Sequence, residues 1–229
     1  MVDNSTFTIN NHRLEEVSSF KDLGIIISHD LKWTSHIHHI THSASVISFQ
    51  LRNSLKSKNI WTWIGIYRTY IRPRLEFNTP IWSPFLKKDV HQIEKVQRRF
   101  TKFAFQKCGI LSKNYETRLY QINMLSLKSR RIYFDLILMY KSINHLSDLK
   151  FDQYFVKVNS GYSLRSHCFQ IKPKLHFNSS QWFNSYFSRI PGLWNSLPND
   201  LVICSKLDEF ETKLKSHLLK IQFLSLESL

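Results

Sequence analysis

Apolar side chains recur along the first part of the chain with the spacing of an amphipathic helix. Between residues 34 and 55 they lie three and four positions apart, so a helix of about 3.6 residues per turn collects them on one face. These positions are Ile37, Ile40, Ala44, Ile47 and Leu51. We therefore predict a helix over about 34–55, with the hydroxyl of Thr34 or Ser35 capping its first turn.

The same spacing predicts five further helices. Their expected bounds are about 60–72, 87–107, 114–124, 127–145 and 206–220. The first of them is apolar on nearly every side, which is typical of a buried central helix. Pro73 is expected to end or kink it, because proline has no N–H to donate within a helix. Long helices therefore dominate the predicted structure.

The two ends of the chain have a different pattern. Residues before 30 alternate apolar and polar positions around a turn at Asn10-Asn11, which predicts a small β-element. After residue 149 we expect short strands and loops, with a helical turn at 191–201 between prolines. The predicted fold class is mainly α, with the N-terminal β-element and an irregular α+β C-terminal region. The expected units are 1–30, 31–147 and 148–229.

The composition agrees with a folded helical protein and excludes several classes. Hydrophobic residues make up 42% of the 229 residues and aromatic ones 14%, which is enough for a core. The 5 glycines and 6 prolines are few for a turn-rich β-sandwich. The three cysteines lack the close spacing of a zinc site or a disulfide framework. The most apolar stretch, 132–140, is too short to cross a bilayer, so no membrane partner is expected.

The net charge of +15 is concentrated in one segment. Residues 51–107 hold 13 Lys and Arg against 3 Asp and Glu, a net of +10. On the predicted helix 87–107, polar and cationic side chains fall within about 40° of one line along its surface. They are Lys88, Gln92, Lys95, Arg99, Lys102 and Gln106. Cations at this spacing repel each other unless an anion neutralises them, so the pattern favours a nucleic-acid backbone.

Interpretations without a ligand also stay open for these polar residues. A basic helix face is also typical of a surface that only water contacts. Four histidines cluster within one predicted helix: His36, His38, His39 and His42. His38 and His42 lie one helical turn apart, as two metal ligands can, but the sequence places no third ligand and has no HExxH pattern. We expect these histidines to form a polar helix surface, which would add to the nucleic-acid-facing character of this part of the chain.

Motifs of common catalytic sites are absent from the sequence. It contains no GxSxG, P-loop or GxGxxG pattern and no close aspartate pair suited to two metal ions. No small-molecule substrate is therefore expected. Aromatic side chains at apolar helical positions are predicted to lie in the core rather than to stack on bases. They are Trp61, Trp63, Tyr67 and Trp194.

Seven segments, in order, resemble the part of non-LTR retrotransposon reverse transcriptases of the jockey-like group that follows the catalytic palm. FKDLGIII (20–27) resembles the F-x-x-LGV primer-grip strand, and LKWTSHIHHI (31–40) is similar to the L-x-W-x-x-HI-x-x-I start of the next helix. The other matching segments are IYRTYIRPRLEFNTPIWSP (66–84), IEKVQRRFTKF (93–103), LSLKSRRIYFDLILMYKSIN (125–144), SYFSRIPGLWNSLPNDL (185–201) and SKLDEFETKLKSHL (205–218). The resemblance extends from about residue 12 to 219.

The resemblance implies an end-of-palm and primer-grip β-element over 1–30, a helical thumb-like bundle over 31–147 and a post-thumb region over 148–229. It implies that Gly24 belongs to the primer grip. Combined with the basic helix face, it gives the residues expected to contact nucleic acid. They are Arg72, Arg74, Lys88, Lys95, Arg98, Arg99, Lys102, Arg130 and Arg131.

The resemblance also implies which activity this sequence lacks. The family synthesises cDNA with two Mg²⁺ ions held by palm aspartates, and the YADD turn that carries them occurs nowhere in the 229 residues. Mg²⁺ is therefore expected only in the intact polymerase, with no cofactor in this chain. We expect a palm-less fragment that contacts RNA template and RNA/DNA duplex without catalysing synthesis, with the missing palm and fingers as its partner. A non-functional transposon remnant, or a basic helical protein that only makes protein interactions, stays open as an alternative.

Overall fold

Helices joined by short turns make up most of the chain, which confirms the prediction of a mainly α fold with small β-elements. The computed structural model describes residues 7–112, 114–158 and 167–227. Its helices are α1 Thr34–Ser54, α2 Ile60–Ile66, α3 Arg72–Glu76, α4 Thr79–Trp82, α5 Lys87–Lys107, α6 Tyr115–Gln121, α7 Leu127–Ile143, α8 Phe151–Tyr154, α9 Ser180–Phe183, α10 Tyr186–Asn195, α11 Asn199–Val202 and α12 Leu207–Glu227. Among the described residues, no helix combines the length and the apolar character needed to cross a bilayer.

α1 forms where the apolar spacing predicts it, but the predicted cap is wrong. Trp33 occupies the N-cap position and makes no side-chain hydrogen bond to the first turn. The Thr34 hydroxyl instead donates to the Asp89 carboxylate of α5 across 2.9 Å. This contact joins the start of α1 to the start of α5.

A π-helical segment, Tyr67–Ile71, connects α2 to α3. Pro73 lies in the first turn of α3, where its missing N–H costs little because that group has no intrahelical partner. Where the sequence predicts an end or kink, the helix changes from π-helical to α-helical immediately before the proline. Asn78 then adopts a left-handed backbone, with φ of 55°, and α4 begins at the next residue.

Two antiparallel hairpins form the N-terminal β-element. Their strands are β1 Thr8–Ile9, β2 His12–Arg13, β3 Ser19–Asp22 and β4 Ile25–Ser28. The turn predicted at Asn10-Asn11 is present, and both residues have the positive φ that a two-residue hairpin turn favours. Leu23 and Gly24 form the second turn, with φ of 45° and 88°. Ile25 anchors the second hairpin in the core.

The C-terminal region is more helical than predicted. The antiparallel strands β5 Phe155–Val158 and β6 Gln170–Pro173 agree with the expectation of short strands. Residues 180–183 form α9 and the residues before 191 begin α10, so the prediction of strands and loops is wrong there. The helical turn predicted at 191–201 falls on the end of α10 and on α11. The Asn195 side chain explains the packing of α10 on β6, because its amide both accepts from the Ile171 N–H and donates to the Ile171 carbonyl at 2.9 Å. Residues 159–166, part of the same prediction, lie outside the described residues.

The buried apolar side chains fall into two clusters. The first lies among β4, α1, α2, α5 and α6, and the second among α7, α10, α12, β5 and β6. α7 contributes to both, since Leu127 belongs to the first cluster and Leu136 to the second. α12 also contributes to both, because Phe223 near its end packs in the first cluster. These two helices join the clusters.

Candidate nucleic-acid interface

The orientation of α5 is set by its buried face. Ile93, Phe100 and Ala104 are at most 1% exposed. Gln97, which is fully buried, accepts a hydrogen bond of 2.7 Å from the Tyr67 hydroxyl and donates one of 3.0 Å to the Leu125 carbonyl. A buried amide with both ends paired specifies one rotation of the helix, because any other rotation leaves polar groups unpaired.

The opposite side of α5 carries four exposed cations, and we call it the basic face. It consists of Lys88, Lys95, Arg99 and Lys102. None of the four forms an ion pair with a carboxylate among the described residues. Gln92, on the same line of the helix, is half-buried and donates to the Thr41 hydroxyl of α1 across 2.9 Å. The basic face therefore borders α1 along its length.

A groove of about 420 Å³ separates the exposed sides of α1 and α5. We call it the basic groove, and the side chains that give it its chemistry are His38, His42 and Ser45 of α1 and Gln92, Lys95 and Arg99 of α5. No carboxylate is among its lining residues in the described chain. Two cations, two imidazoles and several hydrogen-bond donors thus face one cavity, which suits an anion with several oxygens.

The four clustered histidines of α1 have different surroundings. His38 and His42 are exposed, and their rings stack with centroids 6.5 Å apart and planes 6° apart. His36 is 2% exposed, accepts a hydrogen bond from the Ile26 N–H at 3.3 Å and lies edge-on to Trp82. Burial, and then the charge of His39, lower the pKa of His36 to about 4. No group of three or more potential metal ligands occurs among the described residues.

Gly24 and Arg74, two of the predicted site residues, lie beside the same small pocket of about 180 Å³. Arg74 is exposed and donates to the Ser43 hydroxyl of α1 across 3.3 Å. A Cβ added to Gly24 would meet the Phe77 ring at 3.8 Å, so its positive φ rather than lack of space explains the glycine. This pocket lies on the hairpin side of α1.

Arg72 and Arg130 form an ion-pair network with Glu76. The Arg130 guanidinium donates two hydrogen bonds of 2.7 Å to the two Glu76 oxygens, and the Arg72 Nε lies 3.6 Å from the same carboxylate. Burial alone lowers the pKa of Arg130, but the hydrogen bonds and charge of Glu76 outweigh it and raise that pKa. Burial, and then the charge of Arg130, lower the pKa of Arg72. The pair of Arg130 with Glu76 joins α7 to α3, which gives Arg130 a structural role, and its contact with nucleic acid stays a prediction.

Arg131 and Arg98 also lie away from the basic groove. Arg131 is 4% exposed, burial lowers its pKa, and its Nη1 has no hydrogen-bond partner among the described residues. A side chain so buried cannot present its charge to a phosphate, which corrects the prediction for Arg131. Arg98 is exposed but extends over the Tyr115 ring, 4.9 Å from its centroid, on the side of α5 that faces α6.

The structure thus brings together a different set of side chains from the set that the sequence predicted to contact nucleic acid. Lys95 and Arg99 share a cavity with His38 and His42, which were predicted as a polar helix surface and not as part of the nucleic-acid contact set. Their juxtaposition depends on how α1 packs on α5, so sequence spacing within one helix could not reveal it. Among the aromatic side chains predicted to be buried, Trp63, Tyr67 and Trp194 are confirmed. Trp61 is 58% exposed, so that prediction is wrong.

Comparison with known proteins leaves the family open. No family model matches the sequence, and no solved structure matches it. A 111-residue stretch, 48% of the chain, is 25% identical to a protein of Caenorhabditis elegans described as "Uncharacterized protein B0403.1". The match covers 56% of that protein, so the chain spans only about half the length of this relative. The description of the relative names no activity, ligand or partner.

Proposed function

We propose that this chain binds the phosphate backbone of RNA and RNA/DNA duplexes without sequence preference, through the basic face of α5 and the adjoining basic groove. The observation that carries the proposal is a row of four exposed cations without paired carboxylates, Lys88, Lys95, Arg99 and Lys102. Cations held in a row on a rigid helix gain binding free energy by releasing the counterions condensed on a nucleic acid.

Two further features support a nucleic-acid ligand over a surface that only water contacts. α1, which forms the other wall of the basic groove, contains no Asp or Glu between Thr34 and Ser54. Ordinary solvated helices usually alternate charges of both signs, which stabilises them in water. The combined face of α1 and α5 therefore keeps an uncompensated positive charge, as a polyanion-binding surface requires.

The proposal includes the likeness to reverse transcriptases. We propose that the chain corresponds to the primer-grip, thumb and post-thumb part of a non-LTR retrotransposon polymerase, with the palm and fingers as its partner. The exposed apolar side chains of the two N-terminal hairpins support a protein partner there, because a free surface of this kind is unfavourable in water. They are Phe7, Ile9, Leu14, Val17, Phe20 and Leu23. The alternative of an interaction-only protein predicts the same docking without nucleic-acid binding.

A matched pair of triple variants tests the nucleic-acid proposal. The first variant carries Lys95→Gln, Arg99→Gln and Lys102→Gln in the basic face. The control removes the same charge elsewhere, with Lys206→Gln, Lys215→Gln and Lys220→Gln at exposed positions in or next to α12. Binding of a fluorescent RNA/DNA hybrid is measured by anisotropy at a fixed salt concentration near 0.1 M.

We expect the basic-face variant to bind at least about tenfold more weakly than the parent chain, because it loses three phosphate contacts. The control should weaken binding far less, since its cations lie outside the basic face. Equal weakening in both variants would reduce the effect to net charge and contradict the proposed surface. Failure of the parent chain to bind any RNA or hybrid would favour the interaction-only alternative.

A further inference from the structure

The basic groove contains a pair of groups whose charge depends on pH. Histidine ordinarily gains its positive charge between about pH 5 and 8. His38 and His42 lie one turn apart on α1 with their rings stacked, and both line the groove opposite Lys95 and Arg99. Each additional proton there adds a cation to a cavity that already holds two.

No carboxylate lines the groove in the described chain, because those of the neighbouring helices have other partners. Asp89 of α5 accepts from Thr34, Glu94 of α5 from Tyr115 and Glu76 of α3 from Arg130. α1 itself supplies His39 beside them and Arg52 near its end, and α5 supplies Lys95 and Arg99 across the groove. On the other packed side of α1, α3 supplies Arg74, which binds Ser43. Protonated imidazoles in the groove would therefore find their counter-charge in a bound anion.

We propose that the basic groove is a binding site for one phosphate group of the nucleic-acid backbone, held by Lys95, Arg99 and the protonated imidazoles of His38 and His42. The proposal rests on the proposed function and adds a property to it. The two imidazoles take up protons from the solvent as the phosphate enters, so backbone binding strengthens as the pH falls. Gln92 and Ser45 add neutral groups with N–H and O–H donors at the same cavity.

The size of the groove agrees with this ligand. Its volume of about 420 Å³ exceeds that of one phosphate group, so the groove can admit the phosphate together with the adjoining part of the strand. The groove is open to solvent along the two helices, so one phosphate can enter while its neighbours along the strand contact Lys88 and Lys102. A chain of phosphates would then follow the basic face.

Two measurements test the site. The first compares hybrid binding at pH 8.0 and pH 6.0 at constant ionic strength, for the parent chain, His38→Gln/His42→Gln and the control His91→Gln. His91 is exposed on α5, one turn before Lys95, but it lies outside the groove and lines a separate pocket with Glu94. Circular dichroism at both pH values checks that each variant is folded.

We expect the parent chain and the His91 control to bind several-fold more tightly at pH 6.0, because protonated imidazoles add positive charge to the groove. The double variant should bind as the parent does at pH 8.0 and tighten less than about twofold. A parent chain that binds equally at both pH values, or a double variant that keeps the full tightening, would overturn the proposal.

The second measurement separates the site from the proposed function. Inorganic pyrophosphate is titrated into the parent chain while the histidine ring resonances are followed by NMR. We expect the signals of His38 and His42 to shift and those of His91 to stay unchanged. Shifts without hybrid binding at any pH would support the anion site and refute nucleic acid as its ligand. Salt-dependent hybrid binding without these shifts would overturn the site and leave the proposed function standing.

Discussion

Replacement of Glu76 by Gln tests whether the ion-pair network is structural rather than part of the nucleic-acid surface. Glu76 accepts two hydrogen bonds of 2.7 Å from Arg130, and the side chains of the pair are only 7% and 15% exposed. Gln keeps the size of the side chain and one acceptor oxygen but removes the negative charge. The Arg130 guanidinium then stays buried without a counter-charge.

The expected cost follows from this burial. Removing one partner of a buried ion pair destabilises a protein by about 3–5 kcal/mol, because an uncompensated charge stays behind. The partial exposure of Arg130 places the value for Glu76→Gln near the lower end, at about 3 kcal/mol. Replacing the pair with Glu76→Leu/Arg130→Met should recover part of this loss, since apolar side chains of similar size have no such desolvation penalty, whereas Arg72 stays without its carboxylate.

Urea unfolding followed by far-UV circular dichroism measures both variants. Glu209→Gln is a control, because its ion pair with Lys213 is exposed on α12, and it should leave the unfolding midpoint nearly unchanged. A loss below about 1 kcal/mol for Glu76→Gln, or a double variant no more stable than the single one, would refute the reasoning. Unchanged hybrid binding by the double variant would confirm that Arg130 is outside the interface.

The long amphipathic helices could be predicted because their apolar spacing is maintained over many turns. The predicted helix 87–107 coincides with Lys87–Lys107, and 34–55 with Thr34–Ser54. α9 and the start of α10 were missed because such short helices depend on tertiary contacts more than on their own sequence. In α10, Arg189 donates to the Asp135 carboxylate of α7 at 2.8 Å and to the Pro80 carbonyl at the same distance.

The candidate site was predictable only where a single helix determines it. Lys95 and Arg99 fall on the exposed face of α5 because the 3.6-residue repeat sets them opposite Phe100 and Ala104. The burial of Arg131 could not be predicted in the same way. It depends on how α7 packs between two apolar clusters, and the sequence Arg-Arg gives no sign of which side chain faces inward.

Two further predictions concern stability. Trp63→Ala should lower the free energy of unfolding in urea by about 3–5 kcal/mol, because the side chain is fully buried. Trp61→Ala should change it by no more than about 0.5 kcal/mol. Equal effects of the two substitutions would contradict the burial assigned to them. The lowered pKa of His36 means that the unfolded chain binds a proton more readily than the folded one. The stability that this pKa difference contributes is present above pH 6.5 and is lost as the pH falls towards 4. We expect a loss of about 1–2 kcal/mol at pH 5, and His36→Asn should abolish most of this pH dependence.

The salt dependence of hybrid binding tests the central claim most directly. A plot of log Kd against log salt concentration gives a slope that counts the phosphates neutralised by the protein, at about 0.7–0.9 per contact. We predict a slope of about 3 or more for the parent chain. The slope should decrease by about 2–3 when Lys95, Arg99 and Lys102 are replaced together by Gln. An affinity that stays constant between low and moderate salt, or a slope unchanged in the triple variant, would contradict the claim that the basic face of α5 binds the nucleic-acid backbone.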